Sequence, residues 1–160
     1  MKIFCTSLVL LLVFVSCKKD VAPLSGVSYP AISVGVEKNG ALEVVNQDVI
    51  KQEWEAQLLA EGATRQISGF QIIKGMSKGG SPISYYMLMA TCTDHKTTMA
   101  ALLERKGNDL FFIPDIASVI CSGGCEHGCA PAVSSKNDAL YIICSECADC
   151  VKTDFFLNFP

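Results

Sequence analysis

Gln66-Ile67-Ser68-Gly69-Phe70-Gln71-Ile72-Ile73-Lys74-Gly75-Met76 is followed by a polar break, Ser77-Lys78-Gly79-Gly80-Ser81-Pro82, and then by Ile83-Ser84-Tyr85-Tyr86-Met87-Leu88-Met89-Ala90-Thr91-Cys92-Thr93. Two more runs, Thr97 to Arg105 and Asp109 to Ile113, come after the short breaks Asp94-His95-Lys96 and Lys106-Gly107-Asn108. Apolar and polar residues change places with period two along these runs, which is the spacing of a strand. Breaks this short cannot house a crossover helix, so neighbouring strands run antiparallel. The stretch predicts an antiparallel meander.

Outward from it, Ala31 to Val36 and Ala41 to Val45 are strand-like runs around Lys38-Asn39-Gly40, and Asn-Gly is a strong hairpin signal. Between hairpin and meander lies Asp48 to Gly62, where Ile50, Trp54 and Leu58 recur every four residues. Asn46 or Asp48 suits the N-cap, and Gly62 stands where a left-handed C-terminal cap belongs. The expected fold class is α+β: one helix packed on an antiparallel β meander, then a small cysteine-rich C-terminal segment. In element order this is similar to cystatin-like folds, a likeness that carries no function.

The N-terminus reads Met1-Lys2, then an apolar run from Leu8 to Val15, then Ser16-Cys17. A single charge, a short apolar stretch and a small residue at the break are the features of a secretory signal. The run falls short of the roughly 20 apolar residues needed to span a bilayer. Ser16-Cys17 at its end resembles the lipobox of bacterial lipoproteins, with Phe14 where that family usually has Leu. The resemblance implies cleavage after residue 16 and acylation of Cys17, so that the lipid bilayer is the first partner. Stable anchoring needs more than one acyl chain, each buried methylene contributing about 0.8 kcal/mol. Lys18-Lys19-Asp20 resembles the charged tract with which Bacteroidetes-type lipoproteins are sorted to the outer membrane. The organisation expected is therefore signal 1–16, lipidated Cys17 and tether 17–30, an α+β domain 31–114, and a cysteine-rich segment 115–160 belonging to the same domain.

Of the 13 basic and 16 acidic residues only Lys2 leaves with the signal, so the mature chain carries a net charge near −4. A mildly acidic chain without a Lys/Arg cluster has no electrostatic footprint for nucleic acid.

Nine cysteines are present. Cys5 leaves with the signal, Cys17 takes lipid, and Cys92 shares a strand face with Tyr86, Leu88 and Ala90, where it reads as a small buried hydrophobe. The remaining six form two triplets, Cys121, Cys125, Cys129 and Cys144, Cys147, Cys150. In an oxidising compartment such a cluster reads first as disulfides, which staple a segment with little core of its own. The close spacing favours bridges between the triplets, on either side of a strand Leu140 to Ile143. A bridge closing a loop of about fifteen residues contributes about 3 kcal/mol. The alternative is zinc on Cys125, Cys129, Cys144 and Cys147, a spacing close to that of zinc ribbons. A copper-binding envelope protein, or redox exchange through Cys144-Ser145-Glu146-Cys147, follows from the same residues. An iron–sulfur run lacks its fourth cysteine, and haem attachment lacks the Cys-x-x-Cys-His string.

Catalytic patterns are thin. Gly75-Met76-Ser77-Lys78-Gly79 matches a nucleophile elbow in letters, but a loop and a strand follow where the elbow requires a helix. His95 stands beside Asp94 in a turn, and His127 lies between Cys125 and Cys129. Asp138, Glu146, Asp149 and Asp154 read as a solvated acidic face rather than a calcium site. The expectation is a non-enzymatic, membrane-anchored envelope lipoprotein that binds or supports structure, with no cofactor.

Overall fold

The computed structural model describes residues 28–63, 65–125 and 128–159. The first hairpin joins β1 (Gly35–Lys38) to β2 (Ala41–Val44), with Lys38 opposite Ala41. Asn39 and Gly40 both take positive φ, 53° and 80°, as a two-residue type I′ turn requires.

The helix α1 spans Gln47–Ala60 and buries Ile50, Trp54 and Leu58 completely. Asn46 occupies the N-cap position, yet its side chain makes no cap hydrogen bond. It sits in the left-handed region at φ 54°, which Asn tolerates better than most residues, and its Nδ2 donates to Ser33 O at 2.8 Å. The other end closes as the sequence predicts. Ala63 N–H donates to Leu58 O at 2.8 Å and Gly62 N–H to Leu59 O at 3.0 Å, a Schellman motif with Gly62 at φ 77°.

The long strands are β3 (Ile67–Met76), β4 (Ser84–Cys92) and β5 (Thr97–Lys106), each antiparallel to the next. Beyond β5 the sheet divides. Leu103 to Lys106 pair with β6 (Asp109–Phe112), while Thr97 to Ala100 pair with β7 (Ser118–Ser122). Strands β6 and β7 thus lie end to end along one edge of β5, separated by a loop from Ile113 to Ala117. From β6 the sheet continues to β1 and β2, and β7 pairs with β10 (Val151–Phe155). The β2 strand comes back beside β3, so the eight-stranded sheet curls into a nearly closed barrel. That is more than the expected meander. A boundary at residue 114 would cut the sheet, because β7 and β10 both belong to it.

The concave face is filled by α1. Trp54 lies at its centre, with ring centroids of Phe70, Phe112 and Phe155 at 5.9, 6.0 and 6.3 Å. Its indole N–H donates to Tyr29 Oη at 3.0 Å, and burial pushes the Tyr29 phenol well above its ordinary pKa. Cys92 is a free, buried thiol in this core. Burial, reinforced by the Asp94 charge, pushes its pKa up to about 11.

The convex face is covered too. A second hairpin, β8 (Pro131–Lys136) and β9 (Ala139–Cys144), packs Val133 and Ile142 against Met87, Ala100, Leu102 and Val119. Strand β5 therefore has apolar residues on both faces, Met99, Ala101 and Leu103 toward the helix and Ala100 and Leu102 toward the hairpin. Burial on both faces removes the alternation that a half-exposed strand shows. The domain is three layers deep here: helix, sheet, cross-linked hairpin.

Candidate functional site

The β8–β9 hairpin is held at two ends by different chemistry. At its open end three disulfides run between the triplets in parallel order: Cys121–Cys144, Cys125–Cys147 and Cys129–Cys150, with Cα separations of 5.6, 6.2 and 5.4 Å. These are ordinary spans for a disulfide. Cys121 and Cys129 are buried, and their partners are partly exposed. The bridges tie β7 and the segment after it to β9 and the approach to β10, fastening the hairpin over the convex face. Gly123 makes the approach possible. A Cβ there would lie 1.9 Å from Asp149 O, a backbone atom. Gly123→Ala is expected to destabilise the domain by about 1–3 kcal/mol through forced backbone movement. Urea melts of the mature protein measure this, and a loss below about 0.5 kcal/mol, the range of an ordinary surface change, would contradict it.

At the turn end, Asn137 and Asp138 take positive φ, 49° and 60°, in a two-residue turn. The loop between β3 and β4 docks there. Lys78 N–H donates to Val133 O at 2.9 Å and Ser135 N–H donates to Lys78 O at 2.8 Å. The Ser135 hydroxyl adds bonds to Gly79 O at 2.9 Å and Ser81 O at 3.1 Å. The outer edge of β8 is thereby capped.

This contact gives the Gly75–Gly79 pattern its meaning. Ser77 is buried, and its hydroxyl accepts the Ile83 N–H at 2.9 Å, so it shapes the loop and presents no nucleophile. The Asp94 carboxylate likewise serves its turn. It accepts Lys96 N–H and Thr97 N–H, each at 3.0 Å, the Thr97 hydroxyl at 2.9 Å, and faces Arg65 Nε at 2.8 Å. Burial alone would raise its pKa, but these hydrogen bonds and the Arg65 charge hold it below the ordinary carboxylate value. His95 is exposed at φ 54° in the same turn and takes no part in that network. Cys5, Cys17, the Lys18-Lys19-Asp20 tract and His127 lie outside the described residues.

The quartet chosen by zinc-ribbon spacing is not the group that the fold assembles. Cys125, Cys129, Cys144 and Cys147 come from all three bridges. The sulfurs that lie within 4.8 Å of one another are Cys121, Cys129 and Cys144, and, in a second set, Cys125, Cys129 and Cys150. Cys129 is common to both.

Beside the hairpin runs a groove of about 310 Å³ lined by the Asp115–Ala117 loop, Leu140 to Ile142 of β9, and Lys152, Asp154 and Phe156 along and beyond β10. Phe156 and Tyr141 are 62% and 40% exposed, so large apolar surface faces solvent here. Asp154 pairs with Lys152 at 2.8 Å. Asp115 is exposed and held at φ 61° by the break between β6 and β7. In the sequence, Leu140 to Ile142 stand out only as part of a strand and Asp154 only as part of an acidic face.

No family model, curated protein or solved structure matches this chain. Among the described residues no helix is long and apolar enough to cross a membrane.

Proposed function

We propose that the mature chain is a lipid-anchored envelope domain, attached through Cys17 at the outer membrane, that acts by binding rather than by catalysis. The observation that carries this reading is the set of three bridges joining two cysteine triplets. Disulfides in this number belong to exported proteins, where they replace core that a small segment cannot build. The lipobox-like Ser16-Cys17 supplies the route and the anchor. The Ser77 and Asp94 side chains that a catalytic reading would use are engaged in holding turns.

Cys17→Ser is expected to abolish incorporation of radiolabelled palmitate and to leave the precursor uncleaved after residue 16. Equal labelling of the variant and the wild type would sink the anchor.

A second reading has its own observation. Cys129 Sγ stands within 4.8 Å of the sulfurs of Cys121, Cys144, Cys125 and Cys150. Were the bridges reduced, thiolates at this density would suit a soft metal such as zinc or copper(I). Purification without reductant, followed by metal analysis and a thiol count, separates the readings. One thiol and no stoichiometric metal is the outcome expected; seven thiols with bound zinc would make this a metal carrier.

A further inference from the structure

The two edges of the β8–β9 hairpin are unequal. In antiparallel pairing, successive residues alternately turn their backbone groups toward the partner strand and away from it. Ser145 N–H donates to Ala130 O at 3.0 Å, which sets the phase. With the register Ala132↔Ile143 and Ser134↔Tyr141, the residues of β9 that turn away from β8 are Leu140, Ile142 and, at its disulfide end, Cys144. The same phase on β8 turns Val133 and Ser135 outward, and those are the residues that the Lys78 backbone caps. The Leu140 and Ile142 N–H and C=O groups find no backbone partner among the described residues; Leu140 is half-buried and Ile142 buried, so Leu140 is the more accessible point of this edge. They border the groove that Phe156, Asp115, Lys152 and Asp154 line on its other side.

Taking the protein as a binding module, we infer that this groove accepts an extended polypeptide segment, which adds to β9 as the third strand of the hairpin sheet. Unpaired backbone donors and acceptors at alternate positions are what strand addition uses, and side-chain pockets beside the edge set specificity. A segment seated there would satisfy Leu140 and Ile142 and cover Phe156. Charge selects the occupant. Two carboxylates, Asp115 and Asp154, stand against one cation, Lys152, so the groove is net negative. A second copy pairing through β9 would bring the same net negative charge to both sides. A foreign segment that alternates apolar residues with lysine or arginine complements the groove instead.

The test uses the mature lipoprotein in detergent and a random heptapeptide library displayed on phage. Selection is expected to enrich sequences with apolar residues at alternate positions and at least one Lys or Arg. The best synthetic peptide should slow amide exchange at Leu140 and Ile142, and N-methylation of its alternate amides should abolish binding. Phe156→Ala and Asp115→Asn should each weaken it at least tenfold while leaving the melting curve unchanged; Asn tolerates the left-handed backbone at position 115.

An empty selection overturns the inference, as does enrichment of peptides that bind Phe156→Ala equally well or protect other strands. Concentration-dependent dimerisation that protects Leu140 and Ile142 without peptide would hand the edge to a second copy. Lipidation of Cys17 and the thiol count stand apart from these results. An intact anchor and three bridges with no peptide bound would overturn the groove alone.

Discussion

Trp54→Ala is expected to destabilise the mature domain by about 3–5 kcal/mol, the loss usual for a large aromatic truncated in a core. The indole is fully buried and touches each part of the concave core: Phe70 on β3, Phe112 on β6 and Phe155 on β10. Those three strands come from distant points of the chain, and the curled sheet brings them to one ring. Removing it also strands the Tyr29 hydroxyl, whose one observed partner is the indole N–H at 3.0 Å. The lost hydrogen bond, of about 0.5–1.5 kcal/mol, is part of that total, since Tyr29 is only partly buried. Trp54→Phe keeps most of the volume and loses the hydrogen bond, so it should fall between wild type and Trp54→Ala. Denaturant melts monitored by circular dichroism read the series. A loss below about 1 kcal/mol for Trp54→Ala would mean that the helix is not seated in the sheet as described.

Reduction is the second large effect. The unreduced protein should show no reactive thiol while folded and one after denaturation, since Cys92 is buried and its thiol carries a pKa raised to about 11. After reduction the denatured chain should show seven thiols. The three bridges close loops of 21 to 23 residues. Breaking one such closure removes about 3 kcal/mol on loop entropy. The loops overlap, so the contributions are not additive.

The fold also decides where the loss appears. β7 and β10 are paired within the main sheet, so they should keep their amide protection when the bridges open. The region to lose protection is the hairpin and its two flanks, residues 123–150, beginning at the disulfide end. The Lys78 bonds to Val133 and Ser135 should make the turn end slower to open. Amide exchange before and after reduction tests this. Uniform loss across α1 and β3 to β5 would show that the hairpin is required for the whole sheet, and loss confined to 123–150 would confirm a separate opening unit.

Local patterns were legible because neighbours in the chain carry them. The helix follows from Ile50, Trp54 and Leu58 at four-residue spacing and from Gly62 as its terminator, and both stand in the structure. The first hairpin follows from Asn39-Gly40, and the meander from extended runs parted by short polar breaks between Gln66 and Ile113. The bridging of one cysteine triplet to the other follows from their count and spacing. One further signal was present in the letters: Met99-Ala100-Ala101-Leu102-Leu103 has no polar face, as a strand covered on both sides should not. The turn Asn137-Asp138 marks the second hairpin in the same way, although Ser134 and Ser135 make β8 look like loop.

What tertiary structure alone decided is long-range. Which bridge joins which cysteine depends on β7 and β9 lying across one another, and six similar thiols carry no label that distinguishes the pairings. The joining of β10 to β7 places the last strand in a sheet begun more than a hundred residues earlier. The use of Ser134 and Ser135 as donors to the Lys78 carbonyl depends on a contact between residues 56 or 57 positions apart. The groove arises because β6 and β7 share one edge of β5 with five loop residues between them, which swings Asp115 outward opposite β9. Periodicity reports the environment of each residue along its own strand. The pairing of strand edges is fixed by the closure of the whole sheet, and that closure left one edge of β9 without a backbone partner.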